Sequence, residues 1–188
     1  MARWEPDSRG RLVQAALELF GENGFEHTTV AEIAQRAGLS ERTFFRYFTD
    51  KREVLFWGAA ALQDLLVGTV TDAPPTATPI EAVAAALEAA GTVLQERRAF
   101  SLQRQAVITA SAELRERELI KLAALASALS DALRRRGVAP SAATLTAEAG
   151  IAVFRVAVER WATATGRRGL PAYIRESLDE LKAVTAGR

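Results

Sequence analysis

TTVAEIAQRAGLSERTFFRYFTDK, residues Thr28 to Lys51, reads as two short helices joined by a glycine turn. Thr29 followed three residues later by Glu32 is a capping box, in which hydroxyl and carboxylate each take an amide that the helix start leaves without a partner. Val30, Ile33, Ala34 and Ala37 then recur at helical spacing and face inward. Gly38 permits a sharp turn, Ser40 or Glu41 opens the next helix, and Phe44 and Phe48 lie one turn apart on its buried side. With Phe44 at zero on a helix of about 3.6 residues per turn, Phe48 falls at roughly 40°, Arg42 at about 160°, Arg46 at about 200° and Thr43 at about 260°. Cations and a threonine therefore point away from the core, with Phe45 and Tyr47 on the flanks. This is the build of a helix-turn-helix, whose second helix enters the major groove of DNA.

Charge supports the same reading only locally. The 188-residue chain has a net charge of +1, which by itself says nothing about nucleic acid. From Arg36 to Arg52, however, Arg36, Arg42, Arg46, Lys51 and Arg52 stand against only Glu41 and Asp50. Cations gathered on a helix that also exposes aromatics make a phosphate-facing patch. Cysteine is absent and His27 is the only histidine, placed in a turn. Sulfur-bound metals, thiolate nucleophiles and disulfides are thereby excluded, and a reducing cytoplasm is compatible. No Gly-rich phosphate loop or paired carboxylates point to an enzyme, and no cofactor or metal site is expected. No apolar run approaches a membrane span, and the charged start from Met1 to Gly10 lacks the apolar stretch of a secretory signal. No membrane partner is expected.

Helical periodicity continues through the rest of the chain, and strand-like alternation is nowhere sustained. Leu12, Val13, Ala16 and Phe20 stripe a first helix that ends near Gly21 and Gly24. Asp50 and Glu53 look like the start of a long fourth helix reaching about Val70. The prolines between Thr71 and Pro79 break it, since proline lacks an amide donor and disfavours helix before it. Helices follow over about Ile80–Arg98, Phe100–Thr109, Glu113–Arg136, Ser141–Thr165 and Pro171–Val184. The expectation is an all-α protein of nine helices, with residues 1–52 as one domain (its motif about 29–48) and 53–188 as a larger helical domain.

An outward Arg can bond guanine O6 and N7 in bidentate fashion, a Thr methyl can meet a thymine methyl, and a Tyr hydroxyl can reach a phosphate. Thr29 offers free amides at a helix start, and Lys51 adds charge at another. The spacing of Thr-Val, Ile-Ala, Ala-Gly-Leu-Ser, Thr-Phe-Phe, Tyr-Phe and Lys over roughly residues 9 to 56 strongly resembles the DNA-binding domain of TetR-family transcriptional regulators. The resemblance implies an all-helical cytoplasmic homodimer, a ligand-responsive repressor that binds a palindromic DNA operator and holds its ligand in the C-terminal domain. It assigns the phosphate contact of the second helix to Thr29, recognition-helix contacts to Thr43, Phe45, Arg46 and Tyr47, and a further contact to Lys51. Ser40 and Arg42 complete the expected DNA-binding set. Many members carry Tyr where this chain has Phe45, so a hydroxyl bond to phosphate is lost there.

Beyond Pro79 the likeness is one of layout. On the helix from Ser141, Ala149, Ala152, Val153, Val156 and Ala157 form a face of small residues, nearly opposite Ile151, Phe154, Val158 and Trp161. A helix apolar on two faces packs in two directions. The small face, with Ile174, Leu178 and Leu181 of the last helix, is the expected dimer interface. For a small apolar effector the candidates are Trp57, Leu62, Leu66 and Phe100, with Gln103 and Arg104 as polar anchors. A competing reading is a helical protein-interaction module, or a regulator without a small-molecule effector.

Overall fold

The computed structural model describes residues 7–166 and 168–187. Residues 1–6, where the charged start and the beginning of the expected first domain fall, lie outside the described residues. The described chain contains nine α-helices: α1 (Ser8–Asn23), α2 (Val30–Arg36), α3 (Glu41–Tyr47), α4 (Ala59–Asp72), α5 (Pro79–Glu96), α6 (Arg98–Ala110), α7 (Ala112–Arg135), α8 (Pro140–Thr163) and α9 (Leu170–Thr185). It folds as two compact units. One runs up to Gly58 and takes in Leu102–Glu118, the corner where α6 meets α7; the other comprises Ala59–Ser101 and the chain from Leu119 onward.

Local signals set the first unit. Asp7 caps α1, its carboxylate accepting the Gly10 amide at 2.8 Å, and Leu12, Ala16 and Leu17 are fully buried along the helix. The Thr29–Glu32 capping box is formed: the Glu32 amide donates to Thr29 Oγ1 at 3.2 Å and the Thr29 amide donates to Glu32 Oε2 at 2.7 Å. At Gly38 the backbone turns with φ of 65°, a region that costs a side-chain-bearing residue about 1–2 kcal/mol. The Leu39 amide then reaches back to Ala34 O at 2.8 Å, closing α2 in the manner of a Schellman turn.

The fourth helix departs from expectation. Asp50 does act as a cap, accepting the amides of Arg52 at 2.8 Å and Glu53 at 3.2 Å, but it caps a short 3₁₀ turn over Glu53–Phe56. Helix α4 starts only at Ala59. The reason lies in Val54-Leu55-Phe56, three consecutive apolar side chains that are all buried. A long surface helix offers only one stripe to a core and would leave one of the three in water.

In the second unit α5 is the central helix, packing against α4, α8 and α9. Thr78 and Glu81 form a second capping box with Pro79 in the first turn, so the proline connector leads straight into α5. Arg136, at the end of α7, secures that connector by donating to Ala73 O at 2.6 Å, Pro74 O at 2.9 Å and Thr71 O at 3.3 Å. Helix α8 approaches α5 at Gly150, where an added Cβ would lie 2.5 Å from Val83 Cγ1. Trp161 is buried, its indole N–H donating to Gln95 Oε1 at 2.9 Å, and the same oxygen accepts the Leu170 amide at 3.1 Å to seat the start of α9.

One composition-based expectation needs correcting. Glu53–Asp72 and Pro140–Thr163 do reach the length and apolar character of a membrane span. In α8 that character comes from two packing faces: Ala143, Ala147, Gly150, Phe154 and Trp161 are buried within this chain, and Leu145, Ala152 and Val156 point outward.

Candidate nucleic-acid interface

Helix α3 owes its orientation to Phe44, which is fully buried with its ring 5.5 Å from that of Phe48. Ser40 caps the helix, its Oγ accepting the Thr43 amide at 3.2 Å and lying 3.0 Å from Thr43 Oγ1. With the inner side anchored, Arg42 and Arg46 are exposed, Phe45 is 55% exposed, and Thr43 and Tyr47 are half-buried. Arg46 is folded onto its neighbour: its guanidinium lies 4.8 Å from the Tyr47 ring centre and Nη2 donates to Tyr47 Oη at 3.0 Å. A residue that the sequence reading missed joins them. Arg9 of α1 places its guanidinium 5.2 Å from the same ring. Only a long-range contact brings Arg9 there, so no local pattern announces it.

The basic run separates into two kinds of cation. Arg36 is tied to Glu22 at 2.9 Å and Glu18 at 3.5 Å, fastening α2 to α1. Its hydrogen bond holds the Glu22 carboxyl below the usual carboxylate range. Arg52 pairs with Asp50 at 2.9 Å and Glu113 at 3.1 Å, and lowers the Asp50 pKa in the same way. Arg42 and Arg46, by contrast, have no carboxylate partner among the described residues. Positive potential therefore concentrates on the outward face of α3.

Thr29 is exposed at the start of α2, where its amide and hydroxyl both serve Glu32 and hold that carboxyl below its ordinary range. Lys51 behaves differently from a free surface cation. Its ammonium donates to Phe25 O at 2.7 Å, Thr28 O at 2.9 Å and Glu26 O at 3.2 Å, and sits 4.3 Å from the Phe25 ring centre. An ammonium has three donors, so Lys51 clamps the turn that delivers Thr29. On the far side of that turn Ser111 Oγ donates to Glu26 Oε1 at 2.9 Å. Replacing Lys51 by Met is expected to cost about 1–3 kcal/mol of stability. It should also weaken DNA binding alike for all sequences and lower the salt slope by roughly one unit. Melting curves and salt titrations of the variant check both; loss of stability with an unchanged slope would restrict Lys51 to positioning the turn.

The six residues expected at a ligand site do not gather in one unit. Trp57, Gln103 and Arg104 belong to the first, and Leu62, Leu66 and Phe100 to the second. Gln103 donates to Leu17 O at 3.4 Å. Arg104 donates to Leu55 O at 2.7 Å, pairs with Glu118 at 3.3 Å and stacks 5.0 Å from the Phe56 ring centre. Burial pulls the Arg104 pKa down, opposed by Glu118. Leu66 is 1% exposed inside the second unit, whereas Leu62 and Phe100 are half-buried. A groove of about 600 Å³ lies in that unit between α4 and α5, lined by Leu65, Gly68, Thr69, Ala82 and Ala85 among others.

The residues expected at a dimer interface also divide. Val156 at 39% exposure, exposed Ala152 and half-buried Ala149 form an outward stripe on α8, which Leu145, 71% exposed and outside the expected set, extends. Val153, Ala157, Ile174 and Leu178 are buried in the chain's own core, and Leu181 is half-buried.

Comparison with known proteins fits this geometry. Residues 12–56 match the family model of bacterial regulatory proteins, tetR family, and residues 77–186 match that of the MftR C-terminal domain. Over 82 residues, 44% of this chain and 36% of the relative, the sequence is 37% identical to the HTH-type transcriptional regulator TcmR of Streptomyces glaucescens. Over 50 residues, 27% of this chain and 22% of the relative, it is 38% identical to the HTH-type transcriptional regulator HbdR of Aromatoleum sp.. The matched segments thus span about a third or less of those curated relatives. Among solved structures, FadR of Bacillus subtilis in complex with stearoyl-CoA superposes with a TM-score of 0.64 at 19% identity, covering 90% of this chain and 95% of that one. A SmeT–triclosan complex superposes with a TM-score of 0.67 at 21% identity, covering 92% and 90%. These likenesses establish the shared fold.

Proposed function

We propose, since the chain belongs to the TetR family of bacterial regulatory proteins, that it is a cytoplasmic transcriptional repressor acting as a homodimer on a palindromic operator. The observation that carries this is the outward face of α3, where Arg42 and Arg46 stand without carboxylate partners among the described residues, opposite a buried Phe44. In this reading residues 1–52 form the DNA-binding domain and 53–188 serve effector binding and dimerisation. Arg46 swings from Tyr47 to a base edge, Arg42 and Thr43 flank it, and Phe45 makes apolar contact. Thr29, Ser40, Tyr47 and Lys51 sit along the phosphates. The outward stripe of α8 meets its copy across a two-fold axis, setting the recognition helices about 34–36 Å apart or somewhat more.

The effector is a small, mainly apolar molecule held in the helical unit that carries Leu62, Leu66 and Phe100. Support comes from the fold shared with solved proteins that hold stearoyl-CoA or triclosan. Such a molecule releases DNA only if it binds more tightly to a dimer whose recognition helices are wrongly spaced for the operator.

Selecting duplex fragments with the purified protein and titrating them against salt tests the reading. The expected result is a recovered palindrome and a steep loss of affinity with salt. Retention of no duplex at any salt concentration would exclude it. On the recovered operator, Arg46→Ala is expected to cost about 1–3 kcal/mol and relax preference at one base position. Unchanged preference in a folded variant would remove Arg46 from base readout.

A further inference from the structure

We propose that Arg9, near the start of α1, contacts a DNA phosphate beside the end of the recognition helix that carries Tyr47. The inference rests on the reading of α3 as the DNA-facing helix and adds a contact from outside the helix-turn-helix.

Two guanidiniums share one ring: Arg9 at 5.2 Å and Arg46 at 4.8 Å from the centre of Tyr47. Like charges brought to one small ring repel each other, and no carboxylate among the described residues pairs with either of them. Arg9 has no ion pair among the described residues. The neighbouring acid, Asp7, is turned to its own helix, accepting the Gly10 amide at 2.8 Å. Other arginines of the same unit are paired: Arg36 with Glu22, Arg52 with Asp50, Arg104 with Glu118 and Arg117 with Glu53. Among the described residues no carboxylate reaches Arg9 beside Tyr47, and its charge stays there when Arg46 moves to a base edge, which suits an external anion. A phosphate meets that need, because a guanidinium stacked on a ring by its face still presents its N–H fork at the edge. Tyr47 closes α3, so an anion held there lies where the backbone flanks the groove. Arg9 is exposed, and it reaches this position while leaving the outward face of α3 open to the bases.

The test uses the full-length protein and duplexes selected by the wild type, with random duplex as a second probe. Arg9→Ala is expected to weaken both by the same factor and to lower the slope of log affinity against log salt by about 0.9. Arg9→Lys is expected to keep the wild-type slope, and circular dichroism to show both variants folded. Three results would overturn the inference alone: an unchanged slope for Arg9→Ala, a slope lowered as much by Lys as by Ala, or a change in base preference. A wild type that binds no duplex would remove the DNA-binding reading and this inference with it.

Discussion

Val156→Arg is expected to turn the proposed dimer into a folded monomer and to lower operator affinity by roughly a hundredfold or more. Val156 lies 39% exposed on α8, in line with Leu145, Ala149 and Ala152 at helical spacing, so four apolar positions share one outward stripe. In the proposed dimer small side chains let two copies of α8 approach closely, so a guanidinium at this position would be pressed among apolar side chains. Burying such a charge costs about 3–5 kcal/mol, and the proposed two-fold symmetry would place one on each side of the interface. A dimer bridging two half-sites loses most of its affinity once separated, because each half then binds alone. Arg155→Ala, a change at an exposed neighbour, should leave the assembly intact. Sedimentation of both variants, followed by binding to the selected duplex, provides the measurement. A Val156→Arg protein that still sediments as a dimer would move the interface off this stripe.

Phe44→Ala is expected to cost about 3–5 kcal/mol and to lower the melting temperature by roughly 10 °C or more. Phe44 is fully buried, with ring neighbours Phe45 at 5.4 Å and Phe48 at 5.5 Å, and it orients every outward residue of α3. Truncation leaves a cavity under a helix of only seven residues, too short to persist without tertiary packing. DNA binding should fall with stability. Phe45→Ala supplies the contrast. Its ring is 55% exposed, so the melting temperature should hardly move while DNA affinity drops. If Phe44→Ala melts like the wild type, α3 is held by something other than this ring.

Much of the DNA-binding unit was legible because its signals are local. The Thr29–Glu32 box, the Ser40 cap, Gly38 and the Phe44–Phe48 spacing all act between residues no more than four or five positions apart. A linear pattern therefore contains them whole. Helix content in the second unit was legible for the same reason, with ends within about two residues of those observed. The start of α4 was not: the acidic pair at Asp50 and Glu53 looks the same before an α-helix as before a 3₁₀ turn. Burial of Val54, Leu55 and Phe56 together made the difference.

Composition and periodicity by themselves determined that this chain is all-helical, that its second and third helices are joined by a glycine turn, and that α3 turns cations outward. Only the tertiary structure decided which cations are free to act. Arg36 and Arg52 belong to the same basic run as Arg46, yet ion pairs to Glu22, Asp50 and Glu113 neutralise them. Lys51 gives its donors to three carbonyls and so acts by its charge at the turn before α2, and Arg9 arrives at Tyr47 from another helix. The same holds for apolar faces: Ile174 and Leu178 turn into the chain's own core while Val156 turns out. Periodicity reports that a face is apolar or charged, but its partner is set by chain segments far away in sequence.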